Sequence, residues 1–176
     1  MRYIECNDLK KSNDFRKLYD ASFPDEEKVD FDGFFSGVFK GFKLVGQYDN
    51  GELVGMMHYI VKKDFIHLNY FAITTLKRGK GYGSKFLSWL KRKYKLPIVV
   101  DVEELDPLSE NYECRIKRHR FYNKNGFVHG EFTFMWQGVF FVYLHYKHIS
   151  ANSFKKHITY IFPTISDIQK YEKKNG

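Results

Sequence analysis

The stretch Ile73-Thr-Thr-Leu-Lys-Arg-Gly-Lys-Gly-Tyr-Gly-Ser84, running straight into Lys85-Phe-Leu-Ser-Trp-Leu-Lys-Arg-Lys-Tyr94, decides how the chain is read. An apolar run, Ile66 to Ile73, predicts a strand that enters a turn carrying Gly79, Gly81 and Gly83. A helix leaves the turn, because Phe86, Leu87, Leu90 and Tyr94 recur at helical spacing. Glycines between a strand and a helix let the backbone approach a ligand closely. The first N–H groups of such a helix lack intrahelical partners, and the helix dipole favours negative charge there. Lys77, Arg78, Lys80 and Lys85 surround the turn, so the stretch has the makings of a phosphate cradle.

Two familiar cradles do not fit. The dinucleotide pattern G-x-G-x-x-G, started at Gly79, needs glycine where Ser84 stands. Started at Gly81, it needs glycine or alanine at Phe86. The nucleotide-triphosphate loop needs Gly-Lys-Ser/Thr, and Gly83-Ser84-Lys85 has the order wrong. The pattern that fits is R-x-x-G-x-G, as Arg78-Gly79-Lys80-Gly81-Tyr82-Gly83.

On these residues the sequence resembles the GNAT superfamily of acetyl-CoA-dependent N-acetyltransferases. A second segment strengthens the resemblance: Phe121-Tyr122-Asn123-Lys124-Asn125-Gly126-Phe127 is similar to the Phe-Tyr-x-x-x-Gly-Phe segment of many GNAT enzymes. The resemblance implies that Arg78, Gly79, Lys80, Gly81, Tyr82, Gly83 and Ser84 hold the cofactor pyrophosphate. It also implies that backbone groups of Phe71, Ala72 and Ile73 hold the pantetheine arm and acyl carbonyl. Tyr122 is then the expected general acid, since a phenol near pKa 10 can donate to a leaving thiolate whose parent pKa is about 8.5. The chain departs from the family where Arg115 replaces an asparagine seven residues before the tyrosine and Arg118 an alanine four before it. Arg118 is therefore expected on cofactor phosphates, which a planar guanidinium binds well. Thr75 replaces a common proline at little expected cost.

Three residues compete for the general base. Period two on the strand puts His67 on one face with Asn69, Phe71 and Ile73, and histidine's ordinary pKa of about 6.5 suits proton removal. Some branches of the family carry Glu or His at this position. A half-buried structural histidine is the competing reading. Glu103 and Glu104, at the end of the next strand, are rivals, and either could instead bind a cationic substrate or face solvent.

The rest of the chain sets the frame. At 176 residues it is long enough for one domain with a real core, and 43% apolar content is that of a globular protein. No run approaches the roughly 18 apolar residues of a membrane span, and the N-terminus lacks a signal-peptide core, so the cytoplasm is the expected compartment. Cys6 and Cys114 offer neither metal spacing nor a disulfide framework; no metal is expected, and both thiols are expected reduced in or near the core. A net charge of +8 gathers at 77–95, 115–124 and 155–174. A nucleic-acid surface would account for it, as would a polyanionic cofactor or solvated helix faces. The 19% of aromatic residues is spread along the chain with no single-strand-binding signature.

Strands are expected at 2–6, 42–48, 52–62, 65–73, 98–102, 127–136 and 139–146. Helices are expected at 14–23, 31–39, 82–94 and 114–123, with Asn125-Gly126 as a left-handed cap. Turns at Asp49-Asn50-Gly51 and Gln137-Gly138 close two hairpins. This order implies an α/β fold, a GNAT-like twisted mixed β-sheet flanked by helices, over residues 1–149. Residues 150–176 read as a helical C-terminal extension, with Phe154, Ile158, Ile161 and Phe162 at helical spacing, packed on the same domain or on a second subunit. The expected activity is acetyl transfer from acetyl-CoA to a primary amine, on a small molecule or a protein, directly within a ternary complex. A basic nucleic-acid-binding protein and a non-catalytic acyl-CoA binder are the alternatives; neither membrane nor nucleic acid is expected as a partner.

Overall fold

The computed structural model describes residues 1–36, 41–162 and 164–171. The chain forms two units, Met1–Leu96 and Pro97–Gly176.

In the first unit four antiparallel strands lie in the order β1-β2-β3-β4. They are β1 (Arg2–Glu5), β2 (Phe42–Asp49), β3 (Glu52–Val61) and β4 (Ile66–Ile73). Asn50 and Gly51 both have positive φ, +49° and +87°, so the β2–β3 turn has the twist that a tight hairpin requires. β3 is buried almost continuously because both its faces are covered. Helix α1 (Asn13–Ser22) lays Phe15, Leu18 and Tyr19 against Leu44, Met56 and Ala72 on one face. Helix α2 (Tyr82–Tyr94) covers the other: Phe86 meets Phe71, and the Tyr94 and Tyr59 hydroxyls lie 3.1 Å apart. Ser12 stands at the start of α1, but its hydroxyl donates to the Leu9 carbonyl instead of capping the helix. Pro24 follows the helix end, where Phe23 is already extended.

The helix expected at Phe31–Phe39 is replaced by a 3₁₀ turn at Phe31–Phe35; positions 37–40 lie outside the described residues. Aromatic packing explains the short turn. Phe31 and Phe34 converge on Tyr19 with centroids 5.5 Å away, and the Tyr70 hydroxyl donates to the Glu27 carbonyl at 2.9 Å. These contacts hold the segment by its side chains, not by a helical ladder.

A second difference lies in β4. Its pairing with β3 runs Tyr59↔Leu68 and then His58↔Tyr70, leaving Asn69 without an opposite residue. This bulge breaks the period-two alternation. His67 therefore shares a face with Tyr70 and Ala72, not with Phe71, whose side chain lies on the α2 side.

The second unit has strand order β5-β7-β6-β8, again antiparallel. Its strands are β5 (Ile98–Glu103), β6 (Val128–Trp136), β7 (Val139–Tyr146) and β8 (Ser166–Lys170). Helix α3 (Tyr112–Lys124) precedes β6. It ends as expected: Gly126 has φ +78°, and the Phe127 N–H donates to the Tyr122 carbonyl at 3.1 Å. Helix α4 (Ala151–Ile161) seats Phe154 against Phe132 and Tyr143. β8 was not expected, because Ser-Asp-Ile-Gln-Lys has little strand character; pairing with β6 supplies what propensity does not. Both cysteines are free, and Cys114 is exposed on α3, not near the core.

His58, on β3, is buried between Phe34 and Phe42, with ring centroids 3.9 and 4.7 Å away. Neither of its ring nitrogens has a hydrogen-bond partner. Burial lowers its pKa from 6.5 to about 3, helped by nearby His67. The folded state thus holds His58 neutral, while the unfolded chain protonates it below about 6.5. Its contribution to stability is complete above that pH and is lost as pH falls toward 3. Urea unfolding at pH 7 and pH 4.5 should show a loss of a few kcal/mol that is smaller in His58→Phe.

Candidate functional site

The strand-to-helix turn of the first unit is built as the sequence predicts. After β4 a 3₁₀ turn, Thr75–Lys77, leads to Gly79 and Gly81, with φ +72° and +82°. Gly81 immediately precedes α2, and the first helical bond is Lys85 N–H to the Gly81 carbonyl, 3.0 Å. The N–H groups of Tyr82, Gly83 and Ser84 come before that bond and have no carbonyl a turn earlier to bind. A Cβ built at Gly79 or Gly81 meets nothing within 4 Å. Positive φ, not crowding, therefore demands glycine at both positions, and the space before the turn is open.

Side chains of the same unit brace this turn. The Tyr82 hydroxyl donates to Asp49 Oδ2 at 2.6 Å, and buried Gln47 donates through Nε2 to the Tyr82 carbonyl at 3.2 Å. Lys77 Nζ lies 3.7 Å from Glu52. The Arg78 Nε–H donates to the Ile73 carbonyl at 3.0 Å, which ties the turn back to the end of β4 and leaves the rest of the guanidinium fork outward. Lys80 and Lys85 complete the basic rim. Phe71, Ala72 and Ile73 pair with Met57, Met56 and Gly55 of β3. The Ile73 carbonyl, one of the groups expected to meet the cofactor arm, is thus already held by Arg78. His67 is fully buried opposite Ile60, on the side of His58.

In the second unit Tyr122 is buried on α3 between Phe121 and Phe127, with centroids 5.2 and 5.3 Å away. Burial raises its pKa above the ordinary phenol value, Asp101 adds to the rise and Arg118 opposes it, so the group stays protonated. Glu103 is 2% exposed and fully engaged. Its carboxylate accepts from Asn111 Nδ2 at 2.8 Å, pairs with Arg118, and lies 3.4 Å from Arg115 Nε. The His119 Nε2–H donates to its main-chain carbonyl at 2.8 Å, which fixes the ring tautomer; burial and the two arginines lower the His119 pKa to about 4. Arg115 also donates to the Glu104 carbonyl at 2.9 Å, while the Glu104 N–H bonds Phe140 of β7 at 2.8 Å.

Arg118, expected on cofactor phosphates, is therefore paired with Glu103, and Glu103, expected as a possible base, is committed to cationic partners. Sequence reasoning missed Asn111, His119, Gln47 and Asp49. Only Gln47, a lone polar residue within the Leu44–Tyr48 run, carried a local signal. Among the described residues no cluster of three or more His, Cys, Asp or Glu could hold a metal ion. No helix there is long and apolar enough to cross a membrane.

An open, glycine-formed N-terminus on the helix after a bulged strand is the feature that the first unit of this α/β protein presents. The model of the acetyltransferase (GNAT) domain matches residues 41–129, and the chain belongs to the GNAT acetyltransferase family. The fold class expected from the element order, a GNAT-like mixed sheet flanked by helices, is thereby shown. YjbC of Bacillus subtilis (strain 168), named as an acetyltransferase, is 37% identical over 67 residues, covering 38% of this chain. That match spans only 33% of the relative's own length. A solved GNAT-family structure from Bacteroides thetaiotaomicron superposes with a TM-score of 0.71 at 22% identity, covering 92% of this chain and 98% of its own. An aminoglycoside 6'-N-acetyltransferase solved with coenzyme A gives 0.62 at 16% identity, covering 82% and 96%. These two likenesses are of fold.

Gly79→Ala and Gly81→Ala should each lower stability by roughly 1–2 kcal/mol, the cost of a left-handed backbone to a residue with a Cβ. Urea unfolding checks this: the midpoint should fall with an unchanged slope.

Proposed function

We propose that the protein transfers an acetyl group from acetyl-CoA to a primary amine, directly within a ternary complex. The observation that carries the reading is the turn at Gly79–Ser84, whose left-handed glycines leave an open helix N-terminus under a basic rim. That arrangement fits a pyrophosphate: unpaired N–H groups, the positive end of a helix dipole, and Arg78 with lysines beside it.

When bound, acetyl-CoA supplies an acetyl group activated as a thioester. In this reading Arg78 and the N–H groups of Tyr82 to Ser84 bind the diphosphate, and Lys80 and Lys85 add charge. Backbone groups of Phe71, Ala72 and Ile73 align the acyl arm, which requires the Arg78 contact to the Ile73 carbonyl to yield or to be shared. As the amine nitrogen bonds to the acyl carbon and the carbon–sulfur bond breaks, Tyr122 gives its proton to the departing sulfur. Burial keeps the phenol protonated, so it has a proton to give, and at the same time makes it a weaker acid than free tyrosine. His67 takes the proton the amine loses, by way of water. Glu103 is set aside as base because its oxygens are already occupied by Asn111, Arg115 and Arg118. The acceptor in this reading is a small-molecule primary amine, which the name of the aminoglycoside 6'-N-acetyltransferase of like fold supports.

Acetyl-CoA should raise the melting temperature, as a ligand selective for the folded state must, and Gly81→Glu should abolish the shift. A panel of primary amines, followed by thiol release, then tests catalysis. Tyr122→Phe should bind acetyl-CoA as before while kcat falls about 10²- to 10⁴-fold. No melting shift in the unaltered protein at saturating acetyl-CoA would overturn the reading.

A further inference from the structure

α3 carries one stripe with two kinds of residue. Asn111, Arg115, Arg118 with His119, and Tyr122 follow one another at i, i+4, i+7 and i+11. At about 100° per residue, Asn111 and Tyr122 differ by only about 20° around the helix axis. The first four of these residues all bond the end of β5, through the Glu103 carboxylate, the Glu103 carbonyl or the Glu104 carbonyl. Tyr122 stands on the same stripe, one turn further on.

The bonding leaves the helix little rotational freedom about its axis. Asn111 grips Glu103 Oε1 at 2.8 Å and accepts from Arg115 Nε at 2.6 Å. Arg118 takes Oε2, and His119 takes the main-chain oxygen at 2.8 Å. The lock therefore acts at four successive donors across two turns of α3, against a strand end that is itself paired to β7. A carboxylate buried this deeply is retained only when its oxygens are satisfied, and here every partner but one comes from α3 and the last from its cap. The rest of α3 gives little hold: the helix's two buried residues, His119 and Tyr122, both lie on this stripe. Tyr122 is buried in ring contact with Phe121 and Phe127, and the polar contacts to Glu103 and Glu104 hold the rest of the stripe.

We propose that Glu103 is a positioning residue: it fixes the rotation of α3, and through it the phenol of Tyr122, and does not take the amine proton. This deepens the reading of Tyr122 as acid and rests on it. A small turn of the helix would swing the phenol away from its target, and a misplacement near 1 Å costs about 10²-fold in rate.

Glu103→Ala and Glu103→Gln separate an anchor from a base. The glutamine keeps an acceptor for Asn111 and a polar contact for Arg118. An anchor therefore predicts a kcat loss on the order of 10²-fold for Glu103→Ala, at unchanged acetyl-CoA affinity, with Glu103→Gln partly restored and its pH–rate profile unaltered. In the Tyr122→Phe background, Glu103→Ala should cause little further loss, since both changes act through the same phenol. Amide hydrogen exchange across Tyr112–Lys124 should quicken in Glu103→Ala and not in Glu103→Gln, a readout that needs no activity. Where Glu103→Ala does not fold, Arg118→Met in the same cycle with Tyr122→Phe takes its place, with the same expectation. Loss of the acidic limb of the pH profile in Glu103→Gln would make Glu103 the base and overturn the proposal. Additive losses in the double variant, or unchanged exchange in α3, would also overturn it. Full activity in Tyr122→Phe would instead remove the acid assignment, and with it the catalytic part of the proposal.

Discussion

One unpaired residue, Asn69, governs the layout of the first unit. β3 and β4 are covered on both faces, so every side chain on β4 must commit to the α1 side or the α2 side. Without the bulge, Tyr70 and Ala72 would face α2, and Phe71 would face α1. With it, Tyr70 reaches Glu27 and the aromatic group around Tyr19, while Phe71 meets Phe86. The extra residue also increases local twist at the strand that delivers the glycine turn. Packing of α1, seating of the Asp25–Phe35 segment and the direction from which α2 leaves all follow from that one irregularity.

Much of this was legible in the residues. R-x-x-G-x-G between a strand and a helix is a local signal, since positive φ at Gly79 and Gly81 is met only by a few residue types. Hairpins closed by Asn50-Gly51 and Gln137-Gly138, and the glycine cap after α3, are local for the same reason. What escaped was set by partners distant in sequence. A bulge in this strand is part of the family resemblance, but its position at Asn69 depends on what β3 offers there, and no pattern within Ile66–Ile73 announces that position. β8 exists because β6 has an edge to share, and the Phe31–Phe35 turn stays short because Tyr19 and Tyr70 hold its rings. In the candidate site, the glycine turn could be read, but the engagement of Glu103 with Arg115 and Arg118 could not. Charged residues twelve and fifteen positions away from a carboxylate give no periodic signal.

The excess of positive charge also acquires local causes. Lys91, Arg92 and Lys93 fill the last turn of α2, where cations face the negative end of the helix dipole. Lys93 sits over the Trp89 and Tyr94 rings at 4.9 and 5.3 Å. On α3 two arginines are spent on one buried carboxylate. Part of the basic clusters at 77–95 and 115–124 is thus accounted for by a helix end and an internal ion cluster.

β8 has a bearing on how the second unit stays dispersed. Without it, β6 would present the backbone of Phe132, Thr133 and Met135 as an open edge in a strand rich in aromatic residues. Such an edge is a template for pairing with other chains. β8 covers it with a short strand that is largely exposed and polar, Ser166, Asp167, Gln169 and Lys170, and Asp167 adopts a left-handed backbone that interrupts its outer rim. The last described segment works as a guard rail against fibrous association, a duty for which a strand of poor intrinsic propensity is well suited.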